Sequence, residues 1–300
     1  MIRVNDREYQ DIDEALRNAE RGSVIDLDNQ VIRKQLTIDK SDITIKNGAF
    51  DYNLSAHEIL SDGYKRGTFR TYSVFVDADN VCFENIVVRN SSGYENGQAI
   101  ALMIAGDNFR AKDCVISSYQ DTLFIGPLPD REYEERGFVG PLEGRERKFI
   151  YTFFDNCRIE GSIDFIFGGG FGYFHKCEIR SLDTGKEING YVCAPSTSEN
   201  KEYGFIFDEC EFTSEDNMDN TVYLGRPWRD YGKCLIVDSV IGKHIKAEGY
   251  SDWNKENAQM SSQFKEHNNI NLTESDRVKW MKETNNKDLE YINLLRGGNV

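Results

Sequence analysis

Positive charge is the first thing in short supply. The chain has 36 lysines and arginines against 51 aspartates and glutamates, a formal net charge of −15. Nucleic acid and anionic membrane surfaces would be repelled at long range. No run of eighteen apolar residues occurs, so no membrane-spanning helix is expected. The four histidines show no HExxH or HxxxH spacing and the cysteines form no CxxC pair, which argues against a zinc or iron–sulfur centre. GxSxG is absent, and with it a serine nucleophile elbow. Gly168-Gly169-Gly170-Phe171-Gly172 lacks the GxGxxG spacing of a dinucleotide site and reads as a tight turn. No cofactor and no metal are therefore expected. The seven cysteines are an odd number, against a full disulfide framework and for reduced, buried thiols. Met1 to Asp6 has no apolar signal core, and the charged Asp6, Arg7 and Glu8 break up the start of the chain. As it stands the chain reads as cytoplasmic, and as secreted only if a leader has been trimmed. A monomer is expected.

What is present is a weak internal repeat. Phe83-Glu84-Asn85-Ile86, Ala111-Lys112-Asp113-Cys114, Phe154-Asp155-Asn156-Cys157, Phe174-His175-Lys176-Cys177 and Phe207-Asp208-Glu209-Cys210 share one pattern, with a looser copy at Ile236-Val237-Asp238-Ser239. Each is a short strand, a polar bend and a second strand. A coil of about 20 residues with insertions lies in the solenoid range. The fold class predicted is all-β, a parallel β-helix spanning 1–300 as one domain. Ile86, Cys114, Cys157, Cys177, Cys210 and Ser239 would stack inside it. Helix signals gather near the ends. Asp11 can cap a helix bearing Ile12, Ala15, Leu16 and Ala19, with Gly22 ending it, inside an N-terminal cap of about 1–24. Thr273–Glu283 and Asp288–Leu295 predict a C-terminal helical cover over about 270–297, with Gly297 as the stop. Such covers close the open ends of solenoids. The stretch from Pro127 to Arg147 is rich in proline and glycine and reads as a loop bordering a cleft.

Two aspartates stand in distinctive frames. Asp121 follows Tyr119-Gln120, and Asp164 sits between Ile163 and Phe165. A carboxylate among such apolar neighbours must be paired or solvated. Strand alternation would put Asp164 and Ile166 on one face, Phe165 and Phe167 on the other. From the pattern alone, Asp164 fits equally a strand end before the glycine turn, and Asp121 an Asx-turn. Arg226, between Gly225 and Pro227, has the planar fork that grips a carboxylate. Two carboxylates and one arginine suffice for ester hydrolysis: one attacks, one carries protons, and the arginine keeps the attacker ionised.

Four segments carry a family resemblance: Gln98-Ala99-Ile100-Ala101-Leu102, Tyr119-Gln120-Asp121-Thr122-Leu123, Asp164-Phe165-Ile166-Phe167-Gly168 and Leu224-Gly225-Arg226-Pro227-Trp228. In order and spacing they resemble the signature segments of the pectin methylesterases (pectinesterases), of bacterial type, over roughly residues 35–255. The resemblance implies a right-handed β-helix. It implies Asp164 as nucleophile, Asp121 as general acid/base, Gln98 and Gln120 as oxyanion donors, and Arg226 as the group orienting Asp164. Trp228 would stack on a sugar, with Tyr119, Phe124 and Tyr250 as further binding candidates. The chain departs from the family pattern in three places. Tyr250 follows Gly249 where the family has tryptophan, Phe124 replaces a tyrosine, and no Gly-x-Tyr-x-Glu appears around Asp28 to Lys34.

The activity implied is removal of methyl esters from the C6 carboxyls of galacturonate in pectin or methylated oligogalacturonides. Two rivals remain. One is another β-helix enzyme on the same polymer, a lyase or polygalacturonase, neither of which accounts for the paired glutamines. The other is a non-catalytic β-helix that binds acidic glycan.

Overall fold

The computed structural model describes residues 1–298. Short strands from successive coils pair in parallel, and the coils stack into a parallel β-helix. One face is a seven-stranded sheet of Leu36–Ile38, Val74–Val76, Leu102–Ile104, Leu123–Ile125, Ile163–Gly168, Gly190–Pro195 and Val222–Gly225, each beside the next. The remaining faces form one continuous sheet whose strands bend at a corner. The first two long strands, Ile43–Tyr52 and Val81–Asn90, pass through that corner unbroken. Later coils split there, as in Tyr151–Asp155 and Arg158–Gly161.

The corner explains the repeat. Asn85, Asp113, Asn156, Lys176, Glu209 and Asp238 all have φ between 47° and 54°. One left-handed residue per coil turns the strand, and short polar side chains tolerate that conformation best. The residue after it points inward. Ile86, Cys114, Cys157, Cys177, Cys210 and Ser239 are each 1–2% exposed. All seven cysteines are free; six are buried and Cys82 is half-buried. Beside this column runs an aromatic one. Phe154, Phe174 and Phe207 stack with centroids 4.8 Å apart and rings 12° from parallel, the spacing of neighbouring strands.

The ends differ from expectation in detail. The N-terminal helix is Ile12–Asn18, with the Asp11 carboxylate accepting the Glu14 N–H at 2.8 Å, and it buries Ile12, Ala15 and Leu16 against the first coil. It stops before Gly22, because Ala19 is already extended and buried in the core. The C-terminal helix, Asn286–Arg296, carries the expected Gly297 cap. It lies along the side of the solenoid rather than over its end. Ile292 and Leu295 pack on outward-facing Tyr173, Ile206 and Leu235, and Arg296 pairs with Asp208 and Asp238. Thr273–Glu283 is not a helix. Its backbone bonds to another chain segment instead, Asp276 N to Ala247 O and Val278 N to Glu248 O, while Val278, Trp280 and Met281 pack on the core. These contacts outweigh a modest helix propensity. One short helix, Glu256–Ser261, was not expected. No helix among the described residues is long and apolar enough to cross a membrane.

Candidate active site

The key polar residues come from neighbouring rungs of the seven-stranded sheet. Gln98 precedes the strand Leu102–Ile104, and Gln120 and Asp121 precede Leu123–Ile125. Ala99 N–H donates to Gln120 O at 3.0 Å, and Asp121 N–H to Ile163 O at 3.0 Å, so these segments lie side by side. Asp164 is inside the next strand. Arg226 follows Val222–Gly225, two rungs from Asp164, and reaches back across the rung of Gly190–Pro195.

Backbone conformation aims the two carboxylates. Asp121 has φ 60° and Asp164 φ 50°, both left-handed. Pairing with the neighbouring strand slips between Ile163 and Ile166, a bulge centred on Asp164. Simple alternation therefore fails. Phe165 and Ile166 enter the interior, whereas Asp164 and Phe167 line the cleft. Glycine permits the close approach on both sides. A Cβ on Gly190 would stand 1.9 Å from Ser162 O, and one on Gly168, at φ +130°, 2.0 Å from Ile125 O.

Arg226 grips Asp164 with two parallel bonds, Nε to Oδ1 at 2.8 Å and Nη2 to Oδ2 at 2.6 Å. Both side chains are nearly buried, 14% and 11% exposed, where a forked pair outweighs its desolvation better than a single contact would. The guanidinium is itself held between two rings. Its carbon lies 3.7 Å from the Tyr191 ring centre and 3.6 Å from that of Trp253. Each such contact contributes about 0.5–2 kcal/mol.

Asp121 is held differently. Burial and the charge of Asp164 push its carboxyl well above the usual carboxylate range, with partial offset from Arg226 and the Gln120 side chain. The two acids thus separate by environment, one paired with a cation and one favoured in its neutral form.

A cleft of about 420 Å³ opens over these groups, lined by Gln98, Gln120, Asp121, Asp164, Arg226 and Trp228 among others. The loop between Pro127 and Arg147 supplies one wall through Glu132, Tyr133, Glu134, Gly137 and Phe138. The aromatic candidates fare unevenly. Trp228 lines the cleft, its ring against Phe138 and Phe167. Phe124 does not: it is 0% exposed beneath Phe69 and Phe167, and its register partner one rung on, Phe167, takes the surface. Tyr250 is also excluded, 1% exposed and packed inside on Phe264 and Trp280. Tyr119 is half-buried beside Tyr94 and does not line the cleft. Sequence reasoning overlooked Tyr191, Trp253, Arg229 and Lys255. Trp253, three residues past Tyr250, was the aromatic to look for.

Comparison with known proteins gives a consistent result. The family model described as Pectinesterase matches residues 4–134 and 147–293. A pectinesterase of Petunia integrifolia is 28% identical over 218 residues, covering 71% of this chain and 52% of that protein. The chain spans about half or less of the length of the first curated relatives it matches. Among solved structures, a pectin methylesterase from Yersinia enterocolitica superposes with a TM-score of 0.77 at 24% identity, covering 94% of this chain and 96% of that one. A pectin methylesterase solved in complex with a hexasaccharide gives 0.75 at 22% identity, covering 95% and 92%.

Proposed function

Because the chain belongs to the pectinesterase family, we propose that it hydrolyses the C6 methyl esters of galacturonate in pectin or its oligomers, giving methanol and free carboxylate. The observation that carries this reading is the forked Arg226–Asp164 pair beside an Asp121 favoured in its neutral form. An Asp164 carboxylate oxygen attacks the ester carbonyl. Gln98 and Gln120 donate to the oxygen that becomes negative. The tetrahedral intermediate collapses, the bond to methoxide breaks, and the Asp121 proton goes to the leaving oxygen to give methanol. The remaining acyl group is joined to Asp164 as an anhydride. Asp121, now a carboxylate, takes a proton from water, and the hydroxide formed attacks the acyl carbon. Asp164 is released and Asp121 is again protonated.

Trp228 supplies an apolar face for a sugar ring, with Phe167 and Phe138 behind it. If the enzyme works in the cytoplasm, its substrate is an imported methylated oligomer. If it works outside, the polymer itself is available.

The test is methanol release from methylated pectin and from short methylated oligomers. Stoichiometric methanol and acid support the reading. Unsaturated products absorbing in the ultraviolet would replace it with a lyase, and new reducing ends without methanol with a polygalacturonase. Binding of acidic glycan without turnover would leave only a binding module.

A further inference from the structure

Trp253 covers one face of the Arg226 guanidinium from a backbone conformation that a tryptophan seldom adopts. Its φ is 57° and that of Asn254 is 56°, two left-handed residues in succession. Such a conformation is costly for a bulky side chain and persists only where surrounding contacts enforce it. Here the contacts are specific. Ser251 N–H donates to Gly225 O at 3.1 Å, and Ser251 Oγ accepts the Trp253 N–H at 3.3 Å. The Asp252 carboxylate accepts the Asn254 N–H at 2.9 Å and a bond from Gln259 Nε2 at 2.7 Å. Lys255 Nζ donates to Pro227 O at 2.8 Å and to Trp228 O at 3.0 Å. The turn from Ser251 to Lys255 is thus fastened to the chain on either side of Arg226. Tyr191 covers the opposite face of the guanidinium and is backed by Tyr223, with centroids 5.4 Å apart and rings 8° from parallel.

In the resting protein these rings are redundant, because the forked ion pair already holds the guanidinium. The reaction removes that hold. Once Asp164 is acylated it carries no charge. The negative charge is then on Asp121, which has given its proton to methanol. Asp121 and Arg226 are near enough to act on each other's charge. An unrestrained arginine would swing toward the new carboxylate. Paired there, Asp121 would be a weaker base toward water, and Asp164 would lack its cation when it must leave. Attraction between the guanidinium and the two rings does not depend on Asp164, so it persists through the acyl stage.

We propose that Trp253 is a positioning residue for deacylation: together with Tyr191 it keeps Arg226 at Asp164 while the negative charge resides on Asp121. This rests on the aspartyl-esterase reading above. Trp253 also lines the cleft, where an aromatic ring could serve as a sugar platform. The two roles differ in the half of turnover they affect. A platform acts on substrate binding, and the clamp acts only after methanol has left.

The experiment is rapid-quench measurement of methanol from a fully methylated hexagalacturonate, joined to steady-state kinetics. In Trp253→Leu the first equivalent of methanol per site should appear at a rate within about twofold of wild type. The steady rate that follows should be about tenfold lower, and KM should fall with kcat, so that kcat/KM is kept within about twofold. Trp253→Phe retains a ring and should restore kcat to within about threefold of wild type. Tyr191→Leu removes the other ring and should give the same signature as Trp253→Leu, so the test stands if one variant does not fold. Unchanged kcat, a raised KM at constant kcat, or kcat/KM falling in parallel with kcat each overturns the proposal. A wild type that releases no methanol overturns the esterase reading itself.

Discussion

The same left-handed backbone conformation is used twice in this molecule, to different ends. At the repeating corner it recurs once per coil, and neighbouring polar side chains satisfy one another. Asn156 Nδ2 donates to Asp113 Oδ1 at 2.6 Å, and Asn268 Nδ2 to Asp238 Oδ1 at 2.6 Å. On the cleft face it occurs at both carboxylates, Asp121 and Asp164, and again at Trp253, and the strand slips at Asp164. The carboxylates at the corner are solvent-facing members of a ladder. Those at the cleft are buried, one against a guanidinium and one against the other acid. Regularity marks the turn that builds the solenoid. A break in regularity marks the place where a charge is aimed.

Substitutions at the two places should separate these roles. The largest effect is expected for Asp164→Asn and Asp121→Asn, each losing at least about a hundredfold in methanol release with the fold retained. Asn156→Ala at the corner should leave kcat within about twofold and cost about 1 kcal/mol of stability. Comparable activity losses at both places would erase the distinction. Arg226→Lys comes next. It should fall nearly as far as Arg226→Ala and mainly in kcat, because lysine supplies charge without the fork or the stacking between Tyr191 and Trp253. Wild-type kcat in Arg226→Lys would mean that the arginine acts only as a distant charge. Trp228→Ala should raise KM about three- to tenfold with a smaller change in kcat, measured on oligomers of fixed length.

A stability measurement sharpens the contrast further. The folded-state pKa of Asp121 is raised, so the folded protein holds its proton more tightly than the unfolded chain does. The favourable contribution is complete below the ordinary value of 3.8 and is lost as pH rises through the raised one. Asp121→Asn should therefore raise Tm at neutral and alkaline pH, and that gain should vanish in acid. A Tm difference independent of pH would contradict a buried, proton-holding Asp121. Acylation should also slow as pH rises through the same value, since the leaving methoxide needs that proton. The smallest signal is expected from thiol titration. The six buried cysteines should be silent in the native state and react after denaturation. Cys82, its pKa raised by burial to about 11, should react slowly.

Much of this was readable in the chain because it repeats. One bend residue and one inward residue per coil left a trace even through long insertions, and the stacked cysteines lie where that trace put them. The polar site residues were legible as frames, since their backbone requirements constrain several neighbours at once. Side-chain direction was not. Alternation from Ile163 failed at the bulge, and Phe124 and Tyr250 turned out to be buried beneath and inside the sheet. Nothing in a linear pattern states which of two stacked aromatics faces out, as Phe124 and Phe167 illustrate. Thr273–Glu283 misled for another reason: its backbone partners lie at Ala247 and Glu248, beyond any local signal. Tyr191, Trp253, Arg229 and Lys255 went unnoticed because single residues outside a frame acquire meaning only when the fold gathers them.

The rung-by-rung origin of the site has a consequence for how such a protein can change. Neighbouring strands stand about 4.8 Å apart, so the solenoid works as a ruler, and the groups between Gln98 and Arg226 occupy fixed marks on it. Whole coils added or lost before Gln98 or after Trp253 would alter length while leaving those marks in place. A single residue gained or lost between Gln120 and Asp164 is tolerable only in the loop that bulges off the ruler, from Pro127 to Arg147. That segment is the free variable of the architecture, where the reach and shape of the cleft can drift while the spacing of its chemistry stays constant.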